Sequence, residues 1–358
     1  MPALWMRSET RDTERRAPIV PADAATLNSA GIALTVEESP QRVFPAQDYA
    51  AAGARIVPAG SWVDAPADEY VIGLKELPDQ PAALRHRHIY FGHAYKEQHG
   101  AAELLARFAA GGGALLDLEY LTDETGRRLA AFGFWAGYIG AALAVLQHRG
   151  ELTVPLRPLA RADLDTELTR SAGHEPPEVL VIGALGRSGR GARAALETAG
   201  LTATGWDVAE TRELDRPALL AHDILVNTVL VTSRVPPFLR PQDLDDPARR
   251  LSLVSDVALD VTSEFNPLPI YDAVTSWAEP VRRVHGGDPP LDLIAIDNLP
   301  SLLPREASLD FSAQLAPLLL ELDDGGTPAA SAWQRCLRAF TDARQSLGTD
   351  TDPEVSHA

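Results

Sequence analysis

Two periodicities alternate along the chain. Short runs of β-favouring apolar residues, each ended by glycine, asparagine or a charged group, are separated by segments whose apolar positions recur at helical spacing. The runs predict strands at residues 4–7, 32–36, 70–74, 88–92 and 114–118, and again at 179–182, 201–208, 224–229, 251–254 and 291–296. The helical spacing predicts helices at 21–29, 47–52, 100–110, 127–147, 191–199, 217–222, 308–321 and 329–346. Strand and helix in alternation are the pattern of an α/β fold with largely parallel sheets. A polar stretch at 150–177, broken by Pro155, Pro158, Pro176 and Pro177, divides two such halves, and the polar 349–358 is expected to fray.

In the second half, Val179-Leu-Val-Ile-Gly183-Ala-Leu-Gly186-Arg-Ser-Gly189 reads as strand, tight turn and helix. The glycines Gly183, Gly186 and Gly189, with Leu185, Arg187 and Ser188 between them, are spaced one residue wider than the usual dinucleotide fingerprint. A turn without side chains lets a pyrophosphate approach the backbone, and a helix N-terminus offers it unpaired N–H groups. The next strand ends at Trp206-Asp207, where a carboxylate would accept both ribose hydroxyls and repel a 2′-phosphate. Strand, turn, helix and acid together predict NAD in preference to NADP.

Parallel α/β sheets carry ligands beyond the carboxyl ends of their strands. In the first half the first strand leads toward Arg16, the Val71-Ile72-Gly73-Leu74 strand to Lys75-Glu76, the Ile89-Tyr90-Phe91-Gly92 strand to His93 and Lys96, and the next to Glu119. Arg127 and Arg128 are read as opening the long apolar helix. Each of these groups taken singly suits a solvated surface, but their recurrence at strand ends predicts convergence on one site. In the second half Asp256 and Asp297 come after strands in the same way and are expected on the cofactor side.

Composition narrows the classes. The 358 residues suffice for two domains with separate cores, and 45% hydrophobic with 23% charged residues is ordinary for a globular chain. Fifty acidic against 32 basic residues give −18, which argues against nucleic acid or an anionic membrane as partner. Residues 129–146 carry no charged side chain, but this run, interrupted by Gly133, Gly137 and Gly140, suits a buried helix packed between two domains better than a membrane span. Cys336 is the single cysteine, so no disulfide forms within the chain. His86, His88, His93 and His99 lack the spacing of a helical zinc pair, and no metal is expected. The N-terminus carries charge from Arg7 onward and has no apolar run of signal length, so a cytoplasmic location is expected.

Several separate stretches match one family. They are Arg7-Ser-Glu-Thr10 with 14–17, Ile56-Val-Pro-Ala-Gly-Ser-Trp62, Gly73-Leu-Lys-Glu76, His93-Ala-Tyr-Lys96, Asp117-Leu-Glu119 and Gly126-Arg-Arg128 with Ala131-Phe-Gly133. To these are added Gly183-Ala-Leu-Gly-Arg187 and Asp297-Asn-Leu-Pro-Ser-Leu-Leu-Pro-Arg-Glu-Ala-Ser308. Over nearly its whole length the chain resembles the NAD-dependent, lysine-forming saccharopine dehydrogenases, relatives of alanine dehydrogenase. The resemblance implies two Rossmann-like domains with parallel-type sheets and an interdomain cleft: 1–128 with 302–358 for the substrate, and 129–301 for NAD. It implies reversible conversion of saccharopine, NAD and water to lysine, 2-oxoglutarate and NADH, the last step of the aminoadipate route to lysine. By the same resemblance Lys75 and His93 are acid/base groups, Arg16 and Arg128 hold substrate carboxylates, and Lys96, Glu76, Glu119 and Asp297 belong to the site. Asp207 matches the ribose-binding acid. The chain departs from the family at 150–174, at 230–241, and at Ser188, where members can carry cysteine.

The chemistry suits these residue types. Oxidising a secondary amine releases a proton with the hydride, and the resulting imine must add water and expel an amine, so two proton carriers are useful. A lysine serves near neutrality where its surroundings favour the neutral amine, and Lys96, Arg16 and Arg128 are expected to supply such surroundings. Arginines suit a substrate with several carboxylates. Two other readings fit part of the pattern: an opine-type dehydrogenase joining another amine and keto acid, and a catalytically silent NAD-binding protein. Oligomeric state is left open, and a monomer is compatible with the pattern.

Overall fold

The computed structural model describes residues 2–95, 100–170, 175–231, 235–259, 261, 263, 265–322 and 331–349, the last three of these by backbone alone. The chain forms two compact units, Met1–Ala131 with Ala307–Ala358, and Phe132–Glu306. In chain order the elements are β1 (Ala3–Met6), α1 (Pro21–Ser29), β2 (Ala33–Glu37), α2 (Ala46–Ala51), β3 (Arg55–Val57), β4 (Tyr70–Ile72), β5 (Arg87–Tyr90), α3 (Ala101–Gly111) and β6 (Ala114–Asp117). They continue with α4 (Gly133–His148), α5 (Arg161–Thr169), β7 (Val179–Ile182), α6 (Arg187–Thr198), β8 (Ala203–Trp206), α7 (Val208–Arg212), α8 (Arg216–Leu220), β9 (Ile224–Asn227) and β10 (Leu253–Asp256). β11 (Arg282–His285), β12 (Leu291–Ile294), α9 (Pro304–Leu319) and α10 (Ala332–Thr349) complete the chain.

The first unit holds a parallel sheet in the order β3-β2-β1-β4-β5-β6. Its central strands read as unbroken apolar runs because both faces are covered: Tyr70, Val71 and Ile72 are all buried. The strand order reverses at β1, which pairs Leu4 with Leu34 on one side and with Tyr70 on the other. A crevice opens at such a reversal, beyond the carboxyl ends of β1 and β4. α10 packs on β6, and its Phe340 meets Phe108 of α3 edge-on at 5.5 Å.

The second unit holds the order β11-β12-β10-β9-β7-β8, parallel except for β11. Its reversal lies at β7, between β8 and β9. Both units are therefore α/β with parallel-type sheets, as the alternating pattern predicts. The apolar run at 129–146 contributes α4, which packs against α6, β9 and β10 of its own unit and buries Ile139, Leu143, Val145 and Leu146. Each such side chain contributes about 1.5–3 kcal/mol on removal from water. Among the described residues no helix is long and apolar enough to cross a membrane.

Glycine makes that packing close. A Cβ on Gly137 would lie 1.8 Å from the Ser188 carbonyl oxygen, and one on Gly191 would lie 1.8 Å from that of Phe134. The α4 and α6 backbones touch where side chains would hold them apart.

Some predicted boundaries are corrected. α4 begins at Gly133, not at Arg127, because Gly126 (φ +81) turns the chain and Thr122 bridges antiparallel to Arg128. Asp123 Oδ1 stabilises this turn by accepting the amides of Thr125 and Arg127. α6 starts at Arg187, four residues before the predicted Gly191. The edge strands β3 and β11, the short α7, and α5 within the polar stretch at 150–177 are additions to the elements that periodicity predicts. The predicted frayed tail, beyond residue 349, lies outside the described residues.

Candidate functional site

In the second unit the turn after β7 has the form the glycine spacing suggests. Gly183 sits at φ +82, and its amide and that of Ala184 donate to the Trp206 carbonyl at 2.8 and 3.1 Å. A Cβ on Gly183 would collide with Thr228 Oγ1 at 2.6 Å, and one on Gly189 with the Gly183 carbonyl oxygen at 2.1 Å. Gly186 is the N-cap of α6, where a Cβ would meet the Gly183 oxygen at 3.2 Å. The result is a tight glycine turn at the N-terminus of a twelve-residue helix, suited to an anionic diphosphate. Leu185 and Gly186 are exposed, Arg187 and Ser188 half-buried.

Asp207 stands beside this turn. Its Oδ2 accepts the Leu185 amide at 3.0 Å and its Oδ1 the Val208 amide at 3.0 Å, while Glu210 accepts the Asp207 amide at 2.7 Å. Thr228, beyond β9, donates its hydroxyl to the Ile182 carbonyl at 2.7 Å and braces the turn from the other side of the reversal. Asp256 is fully buried instead of facing a ligand. It accepts from Tyr271 at 2.6 Å and Asn227 at 2.9 Å, and burial still pushes its carboxyl up against these bonds. Asp297 is exposed on the turn after β12.

In the first unit the strand-end groups gather around the β1/β4 crevice. Buried Arg7, just past β1, places its guanidinium 5.6 Å from the Tyr90 ring centre and donates to the Lys75 carbonyl. Gly73 accommodates it, because a Cβ there would lie 2.5 Å from Arg7 Nε. Glu9 accepts the amides of Leu74 at 2.7 Å and Lys75 at 3.0 Å. Together these groups fix the loop that presents Lys75 and Glu76. Buried Glu37, at the end of β2, gathers Trp5 Nε1 and the amides of Ser8, Gly60 and Trp62 at 2.6–3.1 Å.

Arg16 is buried and paired with buried Glu14, donating from Nε at 2.8 Å and from Nη2 at 2.5 Å. Burial pushes the Glu14 carboxyl up, but the Arg16 guanidinium and the charge of Lys75 outweigh it and hold Glu14 below the usual range. Glu76 is likewise held low: its burial raises it, and the bond from Arg11 with the nearby Lys75 charge prevails. Carboxylates are thus among the charges coupled to Lys75. Lys96 lies outside the described residues.

His93 adopts φ +50, a left-handed conformation that costs an L residue about 1–2 kcal/mol. Its Nδ1 lies 3.5 Å from Glu119 Oε1. The loops after β4 and β5 meet at a cavity of about 470 Å³ lined by Arg11, Glu76, Tyr90, His93, Glu103 and Arg107, among others. Arg16, Lys75, Glu119 and Arg128, the last half-buried on its bridge to Thr122, are absent from that lining. Arg7, Glu9, Glu14 and Thr228 were not singled out as functional from sequence. Glu9, close behind β1, could have been found by the strand-end rule that selected Lys75.

Comparisons with known proteins agree with this fold. The alanine dehydrogenase/PNT N-terminal domain matches residues 5–139 and the alanine dehydrogenase/PNT C-terminal domain residues 192–347. The saccharopine dehydrogenase (NAD(+), L-lysine-forming) of Neurospora crassa is 43% identical, the alignment covering 96% of this chain and 97% of that protein. That of Emericella nidulans is 44% identical, covering 90% and 92%. Among solved structures, an L-alanine dehydrogenase is similar with a TM-score of 0.68 at 17% identity, covering 97% of this chain and 99% of that one. The transhydrogenase from Sinorhizobium meliloti gives 0.61 at 17% identity, covering 89% and 93%, and at such identities the likeness speaks for the fold. Both domains in order, with two-fifths identity over nearly the full length, show that the chain belongs to the saccharopine dehydrogenases (NAD(+), L-lysine-forming) of the alanine dehydrogenase/PNT family.

Proposed function

We propose that this chain interconverts saccharopine, NAD and water with L-lysine, 2-oxoglutarate, NADH and a proton, in the cytoplasm and in the service of lysine formation. The observation that carries the reading is the meeting of two loops from adjacent parallel strands at one cavity, lined by Glu76 after β4 and by His93 after β5; the two loops carry Lys75 and His93. These are the proton carriers the chemistry asks for, and they occur in a chain whose relatives bear this activity in their names. In this reading residues 1–128 with 302–358 bind the amino-dicarboxylate and 129–301 bind NAD.

The second unit supports NAD on its own geometry: the Gly183–Gly189 turn packs too tightly against Thr228 and its own backbone for added Cβ atoms, and it leads into the N-terminus of α6 beside Asp207. The backbone from Gly183 through Leu185, Gly186, Arg187, Ser188 and Gly189 would hold the diphosphate, and Asp207 the ribose hydroxyls. Asp256 acts from beneath, shaping the ends of β9 and β10, while Asp297 borders the same side. NAD when bound supplies the hydride acceptor. Lys75 takes the proton of the substrate amine, and His93 moves protons while water adds and lysine leaves. Glu119 at Nδ1 leaves Nε2 as the atom that exchanges the proton. Arg16, oriented by Glu14, Arg128 and Lys96 hold substrate carboxylates, and Glu76 tunes the charge around Lys75.

Mixing lysine, 2-oxoglutarate and NADH with the protein should consume NADH. No consumption anywhere between about pH 6 and 10, the span over which lysine and histidine side chains titrate, would contradict the proposal. Consumption with a different amine or keto acid alone would instead assign an opine-type dehydrogenase.

A further inference from the structure

Asp117 ends β6 with its side chain fully buried. Its Oδ1 accepts the Glu119 amide at 2.9 Å, and the Gly92 and His93 amides lie close enough to favour its charge, although among the described residues no donor meets hydrogen-bond geometry at Oδ2. A Cβ on Gly92 would lie 3.3 Å from that Oδ2 and 2.5 Å from Leu115 Cδ2, so glycine lets the turn before His93 rest on the carboxylate. One buried acid therefore adjoins both loops that bring His93 Nδ1 to 3.5 Å from Glu119 Oε1.

We propose that Asp117 is a positioning residue for the His93–Glu119 pair: as a carboxylate it draws in the amides of Gly92, His93 and Glu119 and keeps the imidazole in its left-handed backbone seat, and on protonation it releases them. The proposal rests on the reading of His93 as a proton carrier. Burial pushes the Asp117 carboxyl up to about 7, helped by the charge of Glu119 and opposed by the three amides, so its release falls within the working range. The groups facing it are Glu119 on its own loop, Tyr90 on β5, Tyr95 and Tyr120 on the adjoining loops, and Cys336 of α10, whose Sγ donates to the Asp117 carbonyl at 3.5 Å. The acidic, phenolic and thiol neighbours disfavour a further negative charge, and the amides hold it in place.

Asp117→Asn keeps the size of the side chain and one acceptor oxygen. In the NADH-consuming assay at about pH 8, kcat should fall roughly tenfold, the loss of about one hydrogen bond's worth of positioning, with the KM for NADH unchanged. The wild-type decline of kcat below about 7 should lose the part due to this group. An Asn variant with wild-type kcat and an unaltered pH profile would overturn the proposal. A second measurement needs neither variant nor turnover: NMR of the wild type with labelled Asp and His should show the Asp117 carboxyl and the His93 ring responding at one common step. A His93 spectrum indifferent to the Asp117 step would overturn it equally. Absence of NADH consumption by the wild type would instead strike the dehydrogenase reading.

Discussion

The Asp207 carboxylate accepts the Leu185 amide at 3.0 Å, so the acid that ends β8 and the glycine turn after β7 form one piece. The other carboxylate oxygen caps α7 at the Val208 amide, which fixes the side chain before any ligand arrives. A ribose would meet an acid already oriented, and a 2′-phosphate an acid that could not turn away.

Asp207→Ser should therefore raise the KM for NADH about 10–100-fold, equivalent to one or two charge-assisted hydrogen bonds, and narrow the preference over NADPH. Steady-state kinetics with both nucleotides read this directly. An unchanged KM for NADH would remove Asp207 from the ribose site.

The contact of α4 with α6 gives a paired prediction. On Gly137 a methyl group would meet the Ser188 backbone oxygen at 1.8 Å, whereas on Gly133 it would meet only the Ser188 hydroxyl at 2.9 Å. The hydroxyl can rotate and the backbone must shift. Gly137→Ala should lower stability by about 1–3 kcal/mol or more and Gly133→Ala by much less, measured as urea midpoints.

The range of the forces involved decides which features are legible in the sequence. The β7 turn and α6 were readable because glycine, strand and helix signals lie within a dozen neighbouring residues. The placement of Lys75, His93 and Glu119 after β4, β5 and β6 was readable because parallel strands deliver the loops at their carboxyl ends to one edge of the sheet. Of the partners of Lys75, the neighbouring Glu76 was readable and Glu14 was not. Glu14 couples to it through space across the distance from residue 14 to residue 75, and periodicity carries no record of such a partner. The start of α4 was misplaced because an apolar run without charge looks helical even where Gly126 and the Thr122–Arg128 bridge turn it aside. β3 and β11 are short edge strands, and Arg55, Arg282 and Arg283 on them are exposed, so they lack the apolar signature of the buried strands.

Glu14 and Asp117 should shape acid stability in opposite directions. Glu14 titrates below its unfolded value of 4.5 in the fold, so its contribution is present in full above that value and is lost as pH falls through the lower folded one. Replacing it by Gln leaves Arg16 buried without its anion, at a cost of about 3–5 kcal/mol near neutrality. The gap between wild type and Glu14→Gln in urea midpoint should close as the pH is lowered below about 4.

Asp117 titrates near 7 against an unfolded value of 3.8, so its contribution is present below 3.8 and is lost as pH rises through 7. Asp117→Asn should accordingly gain on the wild type as pH rises from about 4 to 8, by up to roughly 4 kcal/mol. Parallel stability curves for the two proteins across that range would show that the buried carboxyl is not displaced.

The central claim is that Lys75 and His93 carry the protons of a lysine-forming amine oxidation. Rates of NADH consumption with lysine and 2-oxoglutarate, compared among the wild type, Lys75→Met and His93→Gln, test it most directly. Each variant should fold, bind NADH as the wild type does, and turn over about 10²–10⁴-fold more slowly, the usual contribution of a positioned acid or base. Variants that bind NADH and consume it at the wild-type rate would contradict it.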